Sequence, residues 1–151
     1  MELIDSIRIM SLRPGDYRRI ANFAESLPSL KTSGLWVHSE FAQKHPETIV
    51  SLMTHLLKVH RRIKEDPKWF VSQVPRFLEI EESELALLPE IVEALLAIDN
   101  FPIDGSLSMQ DAQNTIDFFV KAGRLESGLQ AADVYDLSFL QTTLQALGLH
   151  D

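Results

Sequence analysis

The stretch PETIVSLMTHLLKVHRRIKE, residues 46–65, decides the fold class of this chain. Its apolar residues recur at steps of three and four, which is the spacing of one helix face. Pro46 suits the first position of a helix, and Glu47 places a carboxylate near the positive end of the helix dipole. The pattern stops at Asp66 and Pro67. It therefore predicts an amphipathic helix over 46–65, about five turns long.

The next segments continue the helical pattern. Asp66 and Pro67 form an N-cap and N1 pair for a following apolar segment that Pro75 interrupts. Ser83 can cap a helix over 83–98, in which Pro89 forces either a kink or a fresh start. Residues 99–105 are expected to form a loop.

Two more helices are predicted towards the end of the chain. Ser108 to Asp111 is typical of a capping box, and Gly123 stands where a left-handed residue ends a helix over 108–122. Asp136 can cap a helix over 136–147, which Gly148 closes. Both patterns place apolar residues on one side.

The chain before residue 39 is less regular. Apolar residues alternate over 7–12 and predict a short strand, and residues 16–27 have near-helical spacing that ends at Pro28. Residues 34–39, which include Trp36 and Val37, form the best strand candidate. We expect a mainly α fold, a helical cluster with one or two short strands. One domain should cover 1–151, with a strand and helix segment over 1–38 and a helical body over 39–151.

Composition narrows the function classes. The formal net charge of −8 argues against a phosphate-binding surface, so no nucleic-acid partner is expected. The chain has no cysteine, which excludes disulfides, thiolate metal sites and a cysteine nucleophile. No apolar run reaches membrane-spanning length, and no secretory signal stands at Met1. We expect a cytoplasmic protein with no membrane insertion, or a periplasmic one if a leader has been removed.

The order around Trp36-Val-His-Ser-Glu-Phe-Ala-Gln-Lys-His-Pro-Glu47 is a strand, a Phe-Ala-x-Lys-His-Pro-Glu segment and a long helix. It resembles the periplasmic solute-binding proteins of ABC importers, in the nitrate, sulfonate, taurine and thiamine-precursor class of type II periplasmic-binding-protein-like folds. The break at Pro67, the helix from Gln113 to Gly123 and the stretch 133–140 continue the same order. The resemblance runs from about Gly15 to the end and corresponds to the C-terminal portion of such a protein.

The resemblance implies a non-catalytic domain with an incomplete binding cleft, because the family encloses its solute between two α/β lobes. The expected partners are a second copy of the chain, as a homo-oligomer, or a polypeptide that supplies the missing lobe. A small anionic or polar solute would bind with that partner.

The rival hypothesis is a helical oligomerisation or interaction module that binds no solute. An enzyme of thiamine-pyrimidine synthesis is a third class of function. It would need a cofactor pocket and a reactive histidine, and the sequence shows no arrangement of residues for either. No cofactor is expected, and no ligand residue is carried over from the family.

Several residues invite a chemical role but favour a structural one. His55 and His60 diverge by about 140° on one helix and cannot share a metal without a third element. His45 is expected at a helix start, and the acidic run over 79–84 is typical of a solvated face. The basic cluster over 58–64 suits the C-terminal turns of a helix.

Core packing is the favoured role for Trp36 and Trp69, with ligand stacking as the alternative. Ser33 and Gly34 could offer backbone N–H groups to an anion. No catalytic, metal or cofactor-binding residue is predicted.

Overall fold

A computed structural model describes residues 3–21, 26–27, 30 and 34–149, and this part of the chain is mainly helical. The mainly α prediction is confirmed, while the predicted strands are wrong because the described residues contain none. The described helices are α1 (Leu3–Leu12), α2 (Ser39–Lys44), α3 (Pro46–Glu65), α4 (Pro67–Phe77), α5 (Glu82–Leu85), α6 (Leu88–Ala97), α7 (Met109–Lys121), α8 (Ala131–Val134) and α9 (Ser138–Leu147).

The chain divides into two compact units. The first takes in Met1–Asn22 and Lys58–Ile103, and the second takes in Phe23–Leu57 and Asp104–Asp151. Helix α3 continues through the boundary at Leu57 and has the bounds predicted from its spacing. The prediction that residues 1–151 form one domain stays a prediction.

In the first unit, α1 and α4 both pack against α6. Helix α4 begins as predicted, with Pro67 in its first turn and the Asp66 carboxylate accepting the Trp69 N–H at 3.0 Å. Pro89 gives the fresh start, because α5 ends at Leu85 and α6 begins at Leu88. The buried residues Ile91 and Val92 then form the inner face of α6.

The loop after α6 is tied to the last turns of α3. His60 Nδ1 lies 2.9 Å from the carbonyl oxygen of Pro102, and Arg61 Nε donates to the carbonyl of Ile103 at 3.1 Å. The Phe101 ring meets the rings of His60 and Phe70 edge to face, at centroid distances of 5.7 and 5.5 Å. These contacts fix the predicted loop over 99–105 by its backbone carbonyls and its aromatic ring.

In the second unit, α7 carries the core. Ser108 Oγ accepts the Asp111 N–H at 3.1 Å, and the Asp111 carboxylate accepts the Ser108 N–H at 3.3 Å, so the predicted capping box is confirmed. Ala112 and Ile116 on α7 pack with Ala131 on α8, and four partly buried residues surround them: Leu107, Val120, Leu129 and Tyr135. Gly123 has φ of 68° just after the helix, as its position predicts.

The last helix begins two residues later than predicted. Helix α9 starts at Ser138, whose N–H donates to the Asp136 carboxylate at 2.9 Å, so Asp136 still holds the start of the helix. Gly148, with φ of 79°, follows its end. The loop before α7 comes close to α9. A Cβ added at Gly105 in this loop would lie 2.7 Å from both methyl carbons of Leu140 on α9. Gly105 also has φ of 87°, a conformation that side chains with a Cβ rarely adopt.

The predicted strand over 7–12 is wrong, because these residues belong to α1. Ile7, the first residue of the alternation that suggested a strand, is buried on one side of this helix, whereas Leu12 is exposed. A helix satisfies its own backbone groups, whereas a strand at this place would need a neighbouring strand.

Residues 34–38 are extended in part but pair with no described strand, and a short helix that was not predicted begins at Ser39. The predicted helix over 16–27 is wrong over 16–21, which form a turn and irregular chain after Gly15 at φ of 93°. Residues 22–25 of that prediction lie outside the described residues.

Candidate functional site

The histidines singled out from the sequence take part in local structural contacts. His55 is exposed, and its Nδ1 lies 2.7 Å from the carbonyl oxygen of Ser51 one turn earlier. His45 follows α2, where its ring lies 4.9 Å from the Phe41 ring and its Nδ1 lies 3.8 Å from the Glu47 carboxylate. No group of three metal-ligating side chains converges among the described residues.

The charged clusters are engaged with neighbouring groups. Arg62 contacts the Asp66 carboxylate at 3.4 Å and lies 5.6 Å from the centre of the Trp69 ring, and Lys64 contacts Asp99 at 3.7 Å. In the acidic run, Glu84 forms an ion pair with Arg8 on α1. These contacts link helix ends and loops within the first unit.

The carboxyl group of Asp136, in the second unit, has a lowered pKa. The hydroxyl and the backbone N–H of Ser138 both donate to Asp136, and they lower the pKa of this exposed carboxyl below its usual value. Hydrogen bonds to a carboxylate at a helix start stabilise the ionised form, so this shift reflects the beginning of α9.

The two tryptophans have different environments. Trp69 is partly buried, with the Arg62 guanidinium near its ring. Trp36 is 78% exposed, so the core role favoured for it from the sequence is wrong. Leu35 and Val37 beside it are also exposed. Ser33 and Gly34 were the two residues considered for anion binding. Ser33 lies outside the described residues, and Gly34 lies in exposed irregular chain.

The segment 35–37 is the first candidate binding surface. Among the described residues, no backbone N–H or carbonyl of Leu35, Trp36 or Val37 has a hydrogen-bond partner. The next residue, His38, accepts the Glu40 N–H through Nδ1 at 3.3 Å and so caps α2. Three exposed apolar side chains and an unpaired backbone thus lead directly into a capped helix.

A groove between α4 and α6 is the second candidate binding surface. It has a volume of about 410 Å³ and is lined mainly by apolar side chains, from Pro67, Lys68 and Val71 on α4 and from Pro89, Val92, Glu93 and Leu96 on α6. Sequence reasoning missed this groove, because its two walls belong to helices that the sequence alone does not pair. Its chemistry suits the binding of an apolar partner with a few charged groups.

Gln113, named from the sequence only as the first residue of a resembling stretch, makes contacts that the sequence did not predict. Its side chain donates to the carbonyl of Leu129 at 3.3 Å and accepts the N–H of Ala131 at 2.8 Å. One amide therefore ties α7 to the start of α8 across 16 to 18 residues of chain. No sequence signal marks such a contact, because Gln113 lies in a polar position of an ordinary amphipathic helix.

The described helices include none that is both long enough and apolar enough to cross a membrane. Comparison with known proteins finds no matching family model, no matching curated protein and no matching solved structure.

Proposed function

We propose that this chain is the C-terminal portion of a solute-binding receptor of an ABC importer, non-catalytic, which completes a lobe with polypeptide outside these 151 residues. The observation that carries the proposal is the segment 35–37. It is apolar and exposed, its backbone pairs with no residue that the structure describes, and it stands directly before two successive helices, α2 and α3.

The physical argument starts from the backbone. A strand requires a neighbour to accept and donate its hydrogen bonds, and residues such as Trp36 and Val37 favour strands because their side chains pack well on a sheet. Adding such a segment to the edge of a sheet satisfies its backbone groups and covers its side chains. The order of an added strand followed by helices is also the order in which the sequence resembles these receptors.

The histidines and basic residues of α3 considered as candidates make contacts within the chain. Nδ1 of His55 and Nδ1 of His60 each lie near a backbone carbonyl of the chain. Arg61 donates to the loop carbonyl of Ile103, and Arg62 and Lys64 contact carboxylates of neighbouring residues. The expected ligand is a small anionic or polar solute, such as a sulfonate or nitrate, held between the completed lobe and a second one.

The proposal is tested by co-expressing the chain with both lobes of a taurine-binding receptor that has been truncated before its own last strand and helices. We expect a stable complex whose melting temperature rises with taurine, because a ligand that binds only the folded state stabilises it by mass action. Nitrate, bicarbonate and pyrimidine precursors, each with the matching receptor lobes, complete the panel.

The matched variants are Val37→Pro, which removes a backbone N–H donor, and Val37→Thr, which keeps both the donor and the β-branched side chain. Val37→Pro should abolish the complex and Val37→Thr should retain it. No complex with any pair of lobes, together with a flat thermal response across the panel, would contradict the proposal.

A helical interaction module without solute binding is the second candidate function. The observation that favours it is an apolar strip on α3, where Leu52 and Leu56 lie four residues apart and are both exposed. Changing both residues to serine should then remove self-association without changing any solute response. A self-associated species with no solute-induced stabilisation would favour this function over the first.

A further inference from the structure

The tripeptide Arg-Arg-Ile occurs twice in this chain, at 18–20 and at 61–63. The two copies have the same side chains and opposite environments, since Ile20 is 89% exposed and Ile63 is 2% exposed. Residues 61–63 lie inside α3, whereas residues 17–21 form irregular chain in which every residue is exposed. The folded chain therefore presents one copy of this sequence and conceals the other.

The copy in α3 is held by its contacts. Arg61 Nε donates to the Ile103 carbonyl at 3.1 Å, and the carbonyl of Arg62 accepts the Asp66 N–H at 2.9 Å. In residues 17–21, by contrast, no backbone N–H or carbonyl bonds to a described residue. An extended peptide binds to a partner through main-chain hydrogen bonds, and exposed irregular chain is where proteases cut folded proteins. Residues 17–21 therefore suit the cleft of an endoprotease.

The two arginines of the exposed copy differ in their contacts. Arg19 donates through Nη2 to the buried hydroxyl of Ser6 on α1 at 3.0 Å. The Arg18 side chain is exposed and has no partner among the described residues. A trypsin-like protease binds the arginine before the cleaved bond in a pocket that contains a carboxylate. Arg18 can enter such a pocket directly, whereas Arg19 must first leave Ser6.

We propose that the peptide bond between Arg18 and Arg19 is a processing site, at which an arginine-specific endoprotease cuts the folded chain. Hydrolysis consumes one water as the C–N bond breaks. The Arg18 carbonyl carbon takes the oxygen and becomes a carboxylate, and the Arg19 nitrogen takes the protons and becomes an α-ammonium group. After the cut, α1 is joined to the rest of its unit by noncovalent contacts, which include its packing on α6 and the ion pair of Arg8 with Glu84.

Two other described arginines lie outside the helices, and neither matches Arg18. Arg13 is followed by Pro14, whose nitrogen carries no hydrogen and whose ring restricts the backbone at the bond to be cut. At Arg124 the N–H groups on both sides of the residue are engaged. The Arg124 N–H donates to the Phe119 carbonyl at 2.8 Å, and the Leu125 N–H donates to the same carbonyl at 3.3 Å.

Limited digestion of the full chain with endoproteinase Arg-C, a trypsin-like enzyme that cuts after arginine, tests the site. Mass spectrometry of the fragments should show 1–18 and 19–151 as the first products. The bond between Arg61 and Arg62 is the internal control with the same sequence. It should be cut at least about a hundredfold more slowly, because the protease reaches it only when α3 unfolds. In urea that unfolds the chain, the two bonds should be cut at similar rates.

The variants separate the two arginines. Arg18→Gln should slow the first cut at least about tenfold, because the protease pocket loses its cation. Arg19→Gln and the control Arg124→Gln should retain the cut after residue 18. Ser6→Ala releases the Arg19 side chain and should add a product that ends at Arg19. Far-ultraviolet circular dichroism should show that every variant keeps its helices.

A first cut elsewhere in the chain overturns the proposal, as do equal rates at the two Arg-Arg-Ile sequences under native conditions. A wild-type product that ends at Arg19, or an unchanged product pattern in Ser6→Ala, overturns the assignment to Arg18. None of these measurements uses a transported solute. Failure of the processing site would therefore leave the receptor proposal standing, and a flat solute panel would leave the processing site standing.

Discussion

Two regions of the second unit handle their polar backbone in opposite ways. Around α7 and α8, side chains of the same unit satisfy the ends of the helices: Ser108 and Asp111 cap each other, and Gln113 bonds to Leu129 and Ala131. At residues 35–37 the backbone has no partner among the described residues, and three apolar side chains face outward. The difference separates a part of the unit whose backbone is satisfied by side chains of the same unit from a part whose backbone pairs with no described residue.

The largest expected effect contrasts Ile116→Ala with Trp36→Ala. Ile116 is 4% exposed in the core, so its truncation should lower the free energy of unfolding by about 2–5 kcal/mol. Trp36→Ala, at an exposed position, should change it by no more than about 0.5 kcal/mol. Urea unfolding followed by circular dichroism measures both. Equal losses would mean that Trp36 packs within the isolated chain.

Gln113→Ala should have the next largest effect. It leaves the carbonyl of Leu129 and the N–H of the buried Ala131 without their partner, which costs about 1–3 kcal/mol. The matched control is Gln110→Ala, an exposed change on the same helix that should cost no more than about 0.5 kcal/mol. Faster amide hydrogen exchange at Ala131 in the Gln113 variant alone would confirm the contact, and equal exchange in both variants would contradict it.

Ser108→Ala tests the capping box. Removing an N-cap hydroxyl should lower the free energy of unfolding by about 0.5–2 kcal/mol, because the Asp111 N–H loses its acceptor. Ser51→Ala, at an exposed interior position of α3, is the comparison and should stay within about 0.5 kcal/mol. Thermal and urea unfolding of the two variants give the answer. If the Ser108 hydroxyl did not contribute to stability, Ser108→Ala and Ser51→Ala would have the same free energy of unfolding.

The smallest effect concerns the pH dependence of α9. The Asp136 pKa is lower in the folded chain than in the unfolded one, so its stabilising contribution is present above about pH 4 and is lost as the pH falls further. Ser138→Ala removes the hydroxyl donor and should raise the Asp136 pKa towards its usual value. A carboxyl titration by nuclear magnetic resonance measures the change. An unchanged pKa in the variant would show that the hydroxyl does not contribute.

Local signals predicted the helices whose ends are fixed by neighbouring residues. Pro46, Asp66 and Ser108 act on groups within four residues of themselves, so the starts of α3, α4 and α7 could be read directly from the sequence. Pro89 predicted either a kink or a fresh start from the same local chemistry, and the structure shows the fresh start.

The failures share a dependence on partners that are distant in sequence. A strand at 7–12 or 34–39 exists only if another strand pairs with it, and strand-forming residue types cannot reveal whether one does. The short helix α8 combines a local contact, in which the Gln130 N–H donates to the Asp133 carboxylate, with a bond from Ala131 to Gln113, which is 18 residues away. His38 is the N-cap residue of α2, and histidine is not among the residues preferred at that position.

The candidate surfaces were predicted only in part. The resemblance drew attention to the stretch that begins at Trp36, but the expectation that this side chain packs in a core was wrong. The groove could not be predicted, because it requires knowing that Val71 and Val92 belong to neighbouring helices. The positions of Lys68 and Glu93 on its two walls follow from that packing alone.

The close approach of Gly105 to Leu140 limits how these two positions can diverge in evolution. A larger residue at 105 would need a smaller one at 140 to vacate the space, and its backbone would still carry the strain of a positive φ. Relatives of this chain should therefore keep glycine at position 105, whichever residue stands at position 140.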